Sequence, residues 1–219
     1  MSRADLTRTS EARNRLSRLA TITVIGTTYF ALVIVAMHLI RPDINPIERP
    51  TSEYAVGPFG YLMTSAFLSL SVGTWALVLG LRRDLPHRGP LRIGTTLLAL
   101  WGVGLLVAAT FPIDSEGAPQ TLSGTIHGIN GPLTFLSLTI GMNLVSRAFK
   151  SDPKWRQIHR FALVLALLMI PEFVVGGVAR ARGSGAGLAQ RLLILTFETW
   201  FLLVASQLRS HAVRLGKAS

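Results

Sequence analysis

Cysteine is absent from the 219-residue chain, which excludes disulfides, thiolate metal sites and cysteine nucleophiles. Charge is scarce: Asp, Glu, Lys and Arg make up 15% of the residues, with 11 acidic against 22 basic side chains. No two histidines stand in an HxxxH or HExxH arrangement, so spacing supplies no zinc-protease signature. Gly183 to Gly187 has the look of a phosphate cradle but lacks the strand before it and the Lys-Ser/Thr after it, so it reads as a flexible loop. What is abundant is hydrocarbon. Hydrophobic residues make up 49% of the chain, and the mean hydropathy of +0.45 is too high for an ordinary soluble domain.

The apolar residues gather into six windows near the roughly 20 residues that span a bilayer: 19–40, 58–81, 93–113, 126–146, 161–179 and 192–208. They predict an all-α polytopic transmembrane bundle of six helices, with a tail at 1–18, a membrane domain at 19–208 and a second tail at 209–219. The run behind Arg18 is long and carries no small-residue cleavage site, so it reads as a retained first helix. Of the 22 Lys and Arg, 17 fall in the tails and the two connections on the same side. The positive-inside rule therefore predicts both termini in the cytoplasm. The same distribution argues against nucleic acid as a partner, because a nucleic-acid module clusters its basic residues on a soluble face.

Ionisable groups inside hydrocarbon are costly, so each is a functional candidate until it is explained. On this topology His38 and His127 lie near the outer surface. Glu172 and Glu198 stand seven and six residues inside their windows, each about 10 Å below the outer edge. They are expected to share a pocket under Arg180, Arg182 or Arg191. The first outer loop adds Ser52 and Glu53, and the third adds Asp114 and Glu116. The inner halves of the windows hold no ionisable residue and read as inert packing, while Trp155, His87 and His159 read as interfacial. Gly124 and Gly128 form a GxxxG suited to close helix packing.

Met37-His38, Ser52-Glu53-Tyr54 to Gly60, Phe111-Pro112-Ile113-Asp114 followed by His127, and Gly187-Leu188-Ala189-Gln190-Arg191 together resemble a bacterial membrane family, the domain-of-unknown-function 998 family. The resemblance implies six spans and a bacterial inner-membrane location, and it supplies no reaction. Gln190 stands where Glu would fit the family's last motif better.

The candidate pocket therefore comprises His38, Ser52, Glu53, Asp114, His127, Glu172, Arg191 and Glu198. The leading expectation is an outward-facing pocket that binds a lipid or other amphiphile and needs no cofactor. Membrane lipids are its partners, with a second copy of the chain left open. One alternative is a metal-dependent membrane hydrolase with zinc on His38, Asp114 and His127. Those residues and Ser52 resemble in kind the alkaline ceramidase and adiponectin receptor hydrolases, but that type has three histidines and seven spans. The other alternative is a small transporter, which the dry inner half disfavours.

Overall fold

The computed structural model describes residues 3–86, 89–115 and 117–217, so His87 and Glu116 lie outside the described residues. The chain is all helical: α1 (Arg3–Ile40), α2 (Gly60–Asp84), α3 (Gly89–Thr110), α4 (Leu122–Ala148), α5 (Arg156–Arg182) and α6 (Ala186–Lys217), with short 3₁₀ turns at Thr51–Ala55 and Phe149–Ser151. Each helix packs on the next and α6 returns to α1, closing a ring. The ends carrying the 41–59, 111–121 and 183–185 connections form what we call the distal end, and the chain termini lie at the proximal end.

Among the described residues five helices are long and apolar enough to cross a membrane; α4 is the exception. At 27 residues it has the length, but His127, Asn130, Pro132, Asn143 and its glycines dilute its hydrocarbon. His127 Nδ1, Asn130 Nδ2 and Asn143 Nδ2 donate to carbonyls of neighbouring elements, which suits a helix whose polar donors are met by protein instead of lipid. The fifth and sixth windows, each bearing a glutamate, are fully formed helices. Residues 3–18 and 209–217 of the expected terminal tails continue α1 and α6 as helix without a break.

Small residues set the helix spacing. Thr23 Oγ1 donates to the Gly73 carbonyl at 3.0 Å, and a Cβ on Gly26 would strike the Ser69 carbonyl and the Gly73 backbone. Gly94 and Gly141 play the same part between α3 and α4. Backbones that approach this closely gain dispersion contacts that lipid cannot replace. Gly124 packs against the Asp114 carboxylate, while a Cβ on Gly128 would meet nothing within 4 Å. The GxxxG pair therefore does not form one helix-packing face.

The proximal end corrects the expectation of inert packing. Asp84 Oδ2 accepts from Trp155 Nε1 at 2.7 Å and from His211 Nδ1 at 2.8 Å. Gln207 Nε2 donates to the Lys154 carbonyl at 2.6 Å and lies 3.0 Å from His211 Nε2. Trp155 is fully buried and stacks on Phe149, so it is no interfacial anchor. A charge window closes at the first Arg or Lys, at Leu81 and Leu208, whereas the helices run on past both. That extra turn carries Asp84 and His211 into a buried network joining α2, the α4–α5 connection and α6.

Candidate functional site: the distal cavity

The first connection is fastened over the start of α6. Pro42, Pro46 and Pro50 prevent it from continuing α1, and its carbonyls turn toward α6 instead. The Ile47 carbonyl accepts from Leu188 N at 2.9 Å, and Glu48 Oε2 accepts from Gly185 N at 2.6 Å. A carboxylate there meets the exposed N–H groups and positive dipole of a helix N-terminus. Gly187 is required because a Cβ would collide with the Arg49 and Pro46 carbonyls.

Arg191 completes the fastening. Its Nε donates to His38 Nε2 at 2.8 Å, its Nη1 donates to the carbonyls of Arg49 and Gly187, and its Nη2 donates to Tyr54 Oη at 3.3 Å. The guanidinium also lies 5.8 Å from the centre of the Tyr54 ring. His38 Nδ1 donates to the Ile34 carbonyl at 2.6 Å. A carbonyl can only accept, so Nδ1 carries the proton and Nε2 offers its lone pair to Arg191. One residue earlier, Gln190 Oε1 accepts from Thr51 N at 2.8 Å and from Thr51 Oγ1 at 3.1 Å. The side-chain amide at Gln190 thus holds the 3₁₀ turn as an acceptor, a role that needs no charge.

Beneath this lid the ring encloses a cavity of about 210 Å³. Phe30, Phe67, Trp101, Phe135 and Phe197 make its apolar depth, and Thr51, Ser52 and Gln190 its roof. The rings pack on one another, with Trp101 centred 5.0 Å from Phe135 and 5.5 Å from Phe197. Trp101 is 4% exposed and its indole N–H has no partner in the protein.

One seam of the ring is open. The proximal halves of α4 and α5 are tied: Asn143 Nδ2 donates to the Ala166 carbonyl at 2.7 Å, and His159 Nδ1 donates to the Ser146 carbonyl at 2.8 Å. Toward the distal end, Gly128, Gly131 and Gly177 line the cavity, and a Cβ on any of them would meet nothing within 4 Å. Asn130 Nδ2 donates to the Gly104 carbonyl at 2.9 Å, which holds α4 to α3.

Three of the eight expected pocket residues line this cavity. Ser52 is buried in the roof, and His127 lies at the side with Nδ1 donating to the Phe111 carbonyl at 2.8 Å. Glu172 faces the cavity, with Oε1 accepting from Thr196 Oγ1 at 2.8 Å and Oε2 buried without a partner.

The other five do not line it. His38 and Arg191 hold the lid, and Glu53 is paired with Arg49 at 2.7 Å. Asp114 accepts from Thr121 N at 2.9 Å and Thr121 Oγ1 at 2.7 Å. Those hydrogen bonds hold its carboxyl below the ordinary aspartate range. Glu198 is buried with Oε1 unpartnered, yet it does not line the cavity. Glu172 reaches α6 at Thr196, and residues two apart on a helix point about 200° from each other. The two carboxylates therefore match in depth but not in direction, and the expected shared pocket is not formed.

The proposed zinc trio is not assembled either. Among the described residues no three His, Asp or Glu side chains converge as a metal site. His38 has both ring nitrogens engaged by protein, and Asp114 spends its carboxylate on Thr121.

Several cavity residues escaped the sequence reading. In sequence the aromatic depth is indistinguishable from ordinary core, and Asn130, Trp101 and Gln190 carry no charge to mark them. The glycines at 128, 131, 176 and 177 were the available signal, since four glycines near one end of two adjacent helices leave a gap that lipid-facing helices do not need.

A ring of six helices, five of them long and apolar enough to span a bilayer, with polar groups turned inward, defines an integral membrane protein. Residues 24–207 match the family model described as "Protein of unknown function (DUF998)", so the chain belongs to that family. No curated protein and no solved structure matches it.

Proposed function

We propose that the protein binds a lipid or other amphiphile in the distal cavity, that the distal end faces out of the cell, and that both termini lie in the cytoplasm of a bacterial inner membrane. The observation that carries this reading is the seam between α4 and α5, where Gly128, Gly131 and Gly177 leave an aromatic-lined space open at the side of the bundle. A ligand site is typically apolar with a few placed polar groups. Here the polar groups are Ser52, His127, Glu172 and Gln190 at the roof and walls. Orientation is supported by the excess of Lys and Arg on the side of the termini.

Native mass spectrometry of protein purified in a mild detergent tests the binding. The wild type is expected to retain one amphiphile, and a Gly131→Leu/Gly177→Leu variant to lose it while melting at a similar temperature. A wild type that carries none and takes up none when single-chain lipids are added would overturn the reading. Orientation is checked in whole cells with single cysteines in the cysteine-free chain. Ser184→Cys should react with an impermeant maleimide and Lys154→Cys should not.

A further inference from the structure

The distal end holds several arginines, and most are consumed by the protein. Arg41 binds Asp43 and the carbonyls of Val56 and Pro58. Arg49 binds Glu53, and Arg191 is spent on His38, Tyr54 and two carbonyls. Arg180 differs. It lies on the last turns of α5, is exposed, and lines both the cavity and the shallow depression outside it formed with Asp114, Gln120 and Thr125. Among the described residues, none forms an ion pair with it.

The nearby acid makes no ion pair with this guanidinium. Asp114 shares the depression with Arg180 but turns both carboxylate oxygens onto Thr121. Glu172, the acidic residue lining the cavity, lies eight residues along α5, roughly 12 Å deeper by helical rise. His127 stands between the mouth and the depth with one nitrogen committed to the Phe111 carbonyl. The cavity therefore runs from an aromatic interior to a mouth that carries the Arg180 guanidinium beside the open seam. A guanidinium at that point matches the oxygens of a phosphate or carboxylate with paired hydrogen bonds.

We propose that the occupant is an acidic amphiphile of the membrane, its phosphate or carboxylate headgroup against Arg180 and its chain passing between α4 and α5 into the aromatic depth. This rests on the reading that the cavity binds an amphiphile. It adds the charge of the headgroup, the residue that selects it and the direction of entry.

The test offers the purified full-length protein an equimolar mixture of two probes with the same chain, mono-oleoyl phosphatidic acid and mono-oleoyl glycerol, and counts bound adducts by native mass spectrometry. The wild type is expected to favour the acidic probe roughly tenfold, the size of one charge-assisted contact. Arg180→Gln should bring the two probes level by lowering the acidic one alone. Arg182→Gln, which removes a neighbouring exposed charge that does not line the cavity, should keep the preference. The Gly131→Leu/Gly177→Leu variant should lose both probes. Equal binding by the wild type, a preference that survives Arg180→Gln, or one that Arg182→Gln also abolishes would overturn the headgroup assignment while leaving the cavity reading intact. Failure of both probes to bind the wild type would remove the cavity reading itself.

Discussion

Arg191 on α6 donates to His38 on α1 through a 2.8 Å hydrogen bond between Nε and Nε2. The pair links the two helices that close the ring, and the other Arg191 nitrogens reach the first connection. A lysine at this position can supply one charge but not the planar fork. Arg191→Ala should destabilise the protein by about 2 kcal/mol, the scale of lost hydrogen bonds to a charged group, and Arg191→Lys should recover only part of this. Limited proteolysis within residues 41–57 is the direct check, with cleavage fastest in the alanine variant. Cleavage at the wild-type rate in both would show that the lid is held by other contacts.

Acid should loosen the start of α4 through Asp114. Thr121 hydrogen bonds lower its folded-state pKa from the ordinary value of 3.8, so the ionised form is the one that folding favours. Its stabilising contribution is present above that ordinary value and is lost as pH falls through the lower folded-state value. Amide exchange at residues 121–125 is expected to accelerate below about pH 4. Asp114→Asn should flatten that response, and an unchanged acid dependence in the variant would assign it to another group.

The membrane class and six helices were legible because hydrocarbon cannot be hidden in a sequence. Rotation was not legible. Whether Glu198 shares a wall with Glu172 depends on how α6 turns between α1 and α5, and nothing in either window fixes that angle. Boundaries failed at the proximal end for a related reason. A helix stops where its hydrogen bonds stop, at Leu85 after α2, and this falls after the charges that end the apolar run. Asp84 therefore falls outside the apolar run, although its side chain is only 5% exposed. Gln190 carries no charge to mark it where Glu would fit the family's motif better, yet its amide oxygen suits the two donors that Thr51 presents.

The glycines separate into two classes that mutation should distinguish. A Cβ on Gly94 would approach Val145 Cγ2 to 2.8 Å and the Gly141 carbonyl to 3.0 Å. Gly94→Ala must push α3 from α4 and should lower the melting temperature. Gly177→Ala meets open space and should be neutral or stabilising by up to about 1 kcal/mol through helix propensity. Parallel thermal melts of the two variants decide this. A Gly177→Ala protein that melts as low as Gly94→Ala would mean that the seam is closed against α4.

The Asp84, Trp155 and His211 network makes a prediction about coupling. Asp84 Oδ2 takes both of its hydrogen bonds from side chains that are themselves nearly or fully buried. Removing the acceptor leaves two donors stranded away from water, and removing His211 leaves a buried carboxylate with one partner. Each single change, Asp84→Ala or His211→Ala, is expected to cost about 3 kcal/mol, in the range for breaking a buried pair. The double variant should cost clearly less than the sum, because once one member is gone the other has lost most of its value. A coupling of at least about 1 kcal/mol is expected for groups in direct contact. Unfolding midpoints of the four proteins in one mixed micelle measure it. Additive losses would mean that the two residues stabilise the bundle independently, through packing of the His211 ring on Trp155 instead of through the hydrogen bond.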